Sequence, residues 1–315
     1  MTKEKLNAKN LKGNWATLLL PINADDSINY QKLAGEIDML IESGVDGIYS
    51  NGTAGEFHNQ TEDEYARINR ILSEKCLDTG MRFQIGASHP SPIISLERLK
   101  IAAALKPDAI QLILPDWIIA TESELLDYMQ RLADAAGDIP LVLYNPPHAK
   151  FVLQPKDYSL FENIPQVIGV KLLSHDQTWA KEMEQYASHL SIFVPGHLLA
   201  TGVECGIASG AYSNVACINP KAAQKWWQLM QTNIKEALEI EKNILAFFEE
   251  CIAPLQRNGF SNPALDKFLA AVGGCYQVGT RLRWPYKWIA DQHVLPVRER
   301  ARQLIPNFFE TSHEM

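Results

Sequence analysis

Eight short apolar runs, each followed by an amphipathic or polar stretch, occupy most of this chain up to about residue 214. They read NWATLLLPI (14–22), GIYSNG (47–52), RFQIGAS (82–88), AIQLILP (109–115), PLVLYNPP (140–147), VIGVKLL (167–173), SIFVPG (191–196) and GIASGAYSN (206–214). Between the first two, Tyr30, Leu33, Ile37, Leu40 and Ile41 share one helical face, and after the second Tyr65, Ile68, Ile71 and Leu72 do the same. Strands alternating with helices imply a parallel sheet with right-handed crossovers. Eight such units favour an α/β fold closed as a (β/α)8 TIM barrel over an open doubly wound sheet. A dinucleotide fold would place GxGxxG after the first strand, and Leu18 to Asn23 offers none; the glycines at 202, 206 and 210 are spaced by four.

From Pro220 the pattern changes. Residues 221–250 read as one long amphipathic helix with Ala223, Trp226, Met230, Ile234 and Leu238 on a stripe, and NPALDKFLAAVGG (262–274) and PVRERARQLI (296–305) read as further helices. The expected organisation is a barrel over 1–225 and a C-terminal helical region, 226–315, packed on it without a low-complexity linker.

Composition narrows the function classes. The formal net charge is −8 and no Lys/Arg run interrupts it, so a nucleic-acid partner is not expected. No apolar run approaches the roughly 18 residues of a membrane span, and MTKEKLNAKNLKGNW lacks the apolar centre of a signal peptide. Five scattered cysteines without a CxxC pair suit reduced thiols, and a cytoplasmic location is the expectation.

In such a barrel the chemistry belongs at the carboxyl ends of the strands. Those ends carry Asn51-Gly52-Thr53, Tyr144-Asn145, Lys171 and Gly196-His197. Lys171 closes the apolar run VIGV, so its amine points into or just above the barrel core. Desolvation there favours the neutral amine, which attacks a ketone to form a Schiff base; the competing reading is a rim lysine paired with a carboxylate. Tyr144, on the neighbouring strand, is placed to move protons to and from a carbinolamine on that lysine, or else is a core tyrosine bonded to a carbonyl. Thr53 either caps the next helix or bonds the phenol, while the amides from Gly52 to Gly55 suit a carboxylate. Lysine, phenol and anion nest together suit imine chemistry on a 2-oxo acid. A metal is not expected, since Glu56 and His58 lack HExxH-like spacing.

GTAGE (52–56), YNPP (144–147) and GVK (169–171), in this order, resemble the GTTGE, YNxP and G(I/V)K motifs of the dihydrodipicolinate synthase / N-acetylneuraminate lyase family. The resemblance extends over nearly the whole chain. It implies a (β/α)8 lyase, a homo-oligomer (dimer or tetramer), that forms a lysine imine with pyruvate or a longer 2-oxo acid and uses no separate cofactor. It implies Lys171 as the Schiff-base lysine, Tyr144 as the proton-transfer phenol and Thr53 as the hydroxyl beside it. Substrate contacts are expected from Gly52, Ala54, Gly55, Trp117, His148, Gly196 and, in GIASGAYSN, Ser209.

The departures restrict the substrate. Thr53-Ala54 replaces two adjacent hydroxyl residues; Asp116-Trp117 stands where synthases carry paired tyrosines; Ala149 stands where they carry an arginine. Leu198 and Leu199 follow Gly196-His197 where sialic-acid lyases carry acidic residues. Trp117 is similar to the aromatic hydratase-aldolase branch, or is a packing residue. His148 and His197 are either contacts for the distal part of a substrate or solvated loop histidines. The leading expectation is therefore an aldolase or dehydratase that is neither an authentic dihydrodipicolinate synthase nor a sialic-acid lyase. The alternatives are a 4-hydroxy-tetrahydrodipicolinate synthase with an unusual aldehyde site, a catalytically impaired 2-oxo-acid-binding barrel, and a phosphate-using barrel enzyme built on GIASGAYSN.

Overall fold

A computed structural model describes residues 3–172 and 177–309 of the 315. Met1 and Thr2, which open the N-terminal stretch read above, and Leu173, the last residue of the sixth apolar run, lie outside the described residues. Among the described residues eight parallel strands close into a barrel in chain order. They are β1 (Gly13–Thr17), β2 (Gly47–Ser50), β3 (Phe83–Gly86), β4 (Ala109–Ile113), β5 (Leu141–Tyr144), β6 (Val167–Lys171), β7 (Ser191–Pro195) and β8 (Gly210–Ser213). Helices cover the outside: α1 (Tyr30–Glu42), α2 (Glu62–Thr79), α3 (Pro92–Ala104), α4 (Glu122–Ala136), α5 (Gln177–Tyr186), α6 (Leu199–Glu204) and α7 (Asn214–Ile218). Capping boxes start α2 and α4, with Thr61 paired to Glu64 and Thr121 to Glu124, so orphan amides are satisfied from the sequence itself. Between β5 and β6 a 3₁₀ segment, Pro155–Phe161, replaces an α-helix. Its rise of about 2.0 Å per residue covers the crossover with few residues.

Strands buried on both faces give the continuous apolar runs from which the barrel was read. Their inward side chains form a separate core of Trp15, Tyr49, Ala109, Val142, Ile168, Phe193 and Tyr212, plugged from below by Leu6 and Leu11. Three of its rings pack on Tyr212: Tyr49 and Phe193 with centroids at 4.7 Å and Trp15 at 6.2 Å. This aromatic plug is the floor of the site described below.

Two expectations change. The run 14–22 is strand only to Thr17, after which Leu19 N–H is taken by the buried Glu36 carboxylate at 2.7 Å. The long helix expected over 221–250 breaks at Asn233 into α8 (Pro220–Thr232) and α9 (Ile234–Phe247). Asn233 leaves helical geometry and its Oδ1 accepts Glu236 N–H at 3.3 Å, the action of an N-cap. The two helices then fold back on each other, with Trp226 Nε1 donating to Ala237 O at 3.0 Å. A π-turn over Phe248–Ile252 follows, then α10 (Ala253–Arg257), α11 (Asn262–Gly273) and α12 (Val294–Leu304). Pro254 has no N–H for the carbonyl of Glu250, and the widened turn absorbs that loss. Helix α11 packs between α7 and α12, which brings C-terminal side chains over the barrel mouth. No helix among the described residues is long and apolar enough to cross a membrane.

Candidate active site

Adjacent strands place a phenol and an amine side by side, for Tyr144 at the end of β5 and Lys171 at the end of β6 are cross-strand partners. The Lys171 ammonium sits among three phenol rings, 4.4 Å from the centroid of Tyr144, 5.1 Å from Tyr49 and 5.3 Å from Tyr212. Ring faces attract a cation, whereas loss of water opposes one. Desolvation wins: it lowers the Lys171 pKa to about 8, against an opposing pull chiefly from the Asp266 carboxylate. Burial likewise raises the Tyr144 phenol above its ordinary value, with the Thr53 hydroxyl pulling the other way. The phenol is therefore neutral at pH 7, a proton donor rather than a standing base. Thr53 Oγ1 donates to Tyr144 OH at 3.4 Å, long for an O–H···O bond.

These groups open into a cavity of about 370 Å³. Tyr49, Tyr212 and Lys171 form its floor, Thr53, Ala54 and Tyr144 one wall, and Pro147 and His148 part of the rim. Helix α11 and the π-turn close the far side with Leu265, Asp266, Leu269, Phe248 and Ile252. Gln256, Asn262, Asn214 and His197 supply polar atoms there. A second cavity of about 510 Å³ lies across the Thr53–Tyr144 wall and is lined in part by Asp116, Ala149, His58 and Tyr286.

The 52–56 turn is closely packed. A Cβ on Gly52 would stand 2.7 Å from the Tyr49 ring, and one on Gly55 would stand 3.1 Å from Leu18 O and Asn51 N. Asn51 and Glu56 bracket the turn at φ +53° and +51°, a left-handed geometry that non-glycine residues adopt at some cost. That cost is met by Glu56, whose carboxylate forms a fully buried ion pair with Lys267 of α11 at 2.5 Å and accepts Arg283 N–H at 3.3 Å. Arg98, equally buried, ties Phe57 O and Ser88 O to Glu62 from the side of β3.

Of the expected site residues, Thr53, Ala54, His148, Tyr144 and Lys171 line the cavity together, whereas Gly52 and Gly55 do not, being packed against the Tyr49 ring and the Leu18 and Asn51 backbone. Gly196 stands behind it: a Cβ there would meet Ser213 Oγ at 2.6 Å, so its role is close packing that sets the turn after β7. Ser209 is misplaced by the reading of 206–214 as one strand. It precedes β8, at the amino end of the barrel, where its carbonyl accepts Gly13 N–H at 3.0 Å, and it cannot meet a ligand at the other end. Trp117 does not line the cavity either. The turn at Pro115–Asp116 carries it outward, 78% exposed, with the Lys150 ammonium 5.5 Å over its ring. Leu198 and Leu199 also stand off; the residue that follows Gly196 into the cavity is His197.

Sequence reasoning missed Asp266 and underweighted His197. His197 stacks on Phe248 with centroids at 4.9 Å, and its backbone N–H is accepted by Asn214 Oδ1 at 3.3 Å. That contact turns Asn214 Nδ2 toward His197 Nδ1, 2.9 Å away, so Nδ1 accepts and the ring proton is assigned to Nε2. Burial lowers the His197 pKa, which keeps the ring neutral. No cluster of three or more His, Cys, Asp or Glu side chains suited to a metal occurs among the described residues.

A lysine amine buried at the carboxyl ends of a (β/α)8 barrel, beside a phenol and under helix α11, is the centre of this site. The chain belongs to the Dihydrodipicolinate synthetase family, whose match spans residues 10–303. It is 27% identical to the N-acetylneuraminate lyase of Pasteurella multocida over 238 residues, which cover 74% of this chain and 80% of that one. With the 4-hydroxy-tetrahydrodipicolinate synthase of Methanothrix thermoacetophila it shares 25% identity over 299 residues, 91% of this chain and 95% of the relative. Among solved structures, a prophage protein of Escherichia coli belonging to the dihydrodipicolinic acid synthase family, in complex with pyruvate, superposes with a TM-score of 0.81 at 20% identity. That match covers 94% of this chain and 99% of that one.

Proposed function

We propose that this protein is a lyase that forms an imine between Lys171 and a 2-oxo acid, pyruvate or a longer homologue. The iminium then serves as electron sink for cleaving a C–C bond or expelling water. One observation carries the reading: the only lysine lining the 370 Å³ cavity at the strand ends, among the described residues, has its amine lowered to about 8 between three phenols. The 52–56 turn would hold the carboxylate, Tyr144 would move protons at the carbinolamine, and the covalent imine leaves no step for a separate cofactor. Relatives named as N-acetylneuraminate lyase and 4-hydroxy-tetrahydrodipicolinate synthase support the reading. Incubation with pyruvate and borohydride, followed by peptide mass mapping, tests it. One adduct per chain at Lys171 is expected; an adduct at the exposed Lys150, or none with any 2-oxo acid, would remove the mechanism.

Tyr144→Phe should keep the fold and lose roughly 10²-fold of turnover, the usual scale for a general acid–base group. Steady-state assay of the variant decides it, and near-normal turnover would assign the proton transfer elsewhere.

Specificity is expected to differ from both named relatives. No arginine lines either cavity among the described residues, so the carboxylate of aspartate semialdehyde meets no bidentate partner. For sialic acid, Phe248, Ile252, Leu265 and Leu269 share the far wall with Asn214, Gln256 and Asn262, so a polyol would find partners for only part of its hydroxyls. A 2-oxo acid with a less polar tail fits better. Comparison of kcat/KM on both reactions against 2-oxo-3-deoxy sugar acids and arylidene pyruvates should rank the named reactions below the best panel member. Parity with it would overturn this assignment.

A further inference from the structure

Among the described residues, Asp266 is the only carboxylate that lines the cavity around Lys171, and Lys171 the only lysine or arginine. The pair comes from opposite sides of the molecule's history along the chain, one from β6 and the other from α11. What holds the aspartate in place is its neighbour. Lys267 is fully buried, bound to Glu56 Oε1 at 2.5 Å and to Arg281 O at 2.7 Å. Consecutive helical side chains diverge by about 100°. With Lys267 locked onto the 52–56 turn, Asp266 is directed into the cavity. It makes no ion pair with Lys171 within 4.0 Å, yet each group feels the charge of the other. The gap suits a bridging water or a substrate oxygen.

We infer that Asp266 is a further catalytic acid–base residue of this site: it takes the proton that Lys171 must shed before attack and returns one to the hydroxyl that leaves the carbinolamine. The inference rests on the lysine-imine reading above. The protons balance as follows. Through a bridging water, the Asp266 carboxylate accepts a proton from the Lys171 ammonium. The free amine adds to C2 of the 2-oxo acid, and the C=O π electrons take a proton from the Tyr144 phenol. The phenolate then removes one proton from the new ammonium, leaving a neutral carbinolamine. Protonated Asp266 donates to its hydroxyl, the C–O bond breaks, water leaves, and the nitrogen lone pair closes the iminium. Lysine ammonium and ketone have become iminium and water, and Asp266 is again a carboxylate beside a cation.

Tyr144 alone does not supply both transfers, since a neutral phenol cannot accept the first proton. The aspartate can do both because withdrawal from water raises its pKa to about 7, opposed by the Lys171 charge. That value lies close to the lysine's, which keeps the transfer between them nearly level. The groups that act on this exchange are Tyr49 from β2, Tyr144 from β5, Lys171 from β6 and Cys217 from α7. His197, after β7, and His148, after β5, share the cavity, and Lys267 is neutralised by Glu56.

The test is the rate of Lys171 labelling by pyruvate from pH 6 to 9, with cyanoborohydride in excess so that imine formation limits, read by intact mass. Asp266→Asn is expected to label at Lys171 roughly 10²-fold more slowly at pH 7, and Asp266→Glu to recover to within about tenfold of the parent. A counter-ion role alone predicts the reverse. The Asp266 charge holds the Lys171 pKa up, so its loss would release more free amine and label as fast or faster. Labelling of Asp266→Asn at or above the parental rate would overturn the role of Asp266 while leaving the imine reading intact. Absence of label in the parent protein would overturn the imine reading and this inference with it. Should the asparagine variant fail to fold, Asp266→Ser carries the same comparison with the same two outcomes.

Discussion

Lys171→Arg is expected to form no borohydride-stable adduct with pyruvate and to lose roughly 10⁴-fold or more of turnover, the scale on which removing a covalent nucleophile registers. Arginine is the informative replacement because it keeps the positive charge and the contact with the three phenols while abolishing the nucleophile. An alanine variant would confuse the loss of charge with the loss of chemistry. The parent protein has a companion signature. With its pKa lowered to about 8, roughly a tenth of Lys171 is free amine at pH 7, against about one part in three thousand for a lysine at 10.5. Adduct formation should therefore rise as pH increases from 6, because deprotonation makes the nucleophile, and cease to rise above about pH 8, where Asp266 no longer holds the proton that expels the hydroxyl. A rate still climbing steeply at pH 10 would mean an unperturbed lysine reacts. Turnover retained in Lys171→Arg would show that the site acts without an imine.

The barrel was legible because its constraint is repeated. Each strand is buried on both faces, so each leaves a short apolar run, and one ambiguous run such as GIASGAYSN does not disturb the count. Lys171, Tyr144 and Thr53 were legible for a related reason: a polar side chain that ends an apolar run in a parallel barrel has to emerge at the carboxyl face. The same rule, applied less carefully, misplaced Ser209. The run reaches back to residue 206, whereas the strand begins at Gly210, so the position at the reactive end is Asn214. Trp117 was chosen for its chemistry and its neighbourhood in sequence, and a turn of two residues was enough to send it to the surface.

Asp266 was hidden by the opposite circumstance. Asp266-Lys267 reads as an ordinary solvated charge pair, and only the helix around it argues otherwise. Pro263, Ala264, Leu265, Phe268, Leu269, Ala270 and Val272 are all buried, which leaves α11 little polar face on which to park two charges. Adjacent charges in a helix apolar on nearly every side have to be paired inward or used. That signal was present in the sequence, but their partners, Glu56 and Lys171, lie in segments that only the fold brings near.

That pairing sets the second large expectation, on stability. Glu56–Lys267 and Lys75–Asp38 have nearly the same geometry, with N···O distances of 2.5 Å and 2.6 Å. They differ in burial: side-chain exposure is 2% and 0% for the first pair, 53% and 31% for Asp38 and Lys75. Burial decides the cost. Lys267→Met leaves the Glu56 carboxylate out of water with the backbone N–H and the more distant guanidinium charge of Arg283 to answer it, and such a break costs about 3–5 kcal/mol. Glu56→Gln strands the ammonium in the same way, and Lys267 is already held below its usual pKa by desolvation, with Glu56 the force that opposes it. Asp38→Asn, at the surface, should cost no more than about 1 kcal/mol. The double variant Glu56→Gln/Lys267→Met removes both charges together and should be less destabilised than the sum of the single changes. Urea unfolding of the four variants measures this directly. If Lys267→Met cost no more than Asp38→Asn, the ion pair would not be what joins α11 to the 52–56 turn. The placement of Asp266 over the cavity would then need another cause. If the cost is as large as expected, the left-handed Glu56 is explained by what it holds: one carboxylate positions the 52–56 turn and, through Lys267, the Asp266 carboxylate over the cavity.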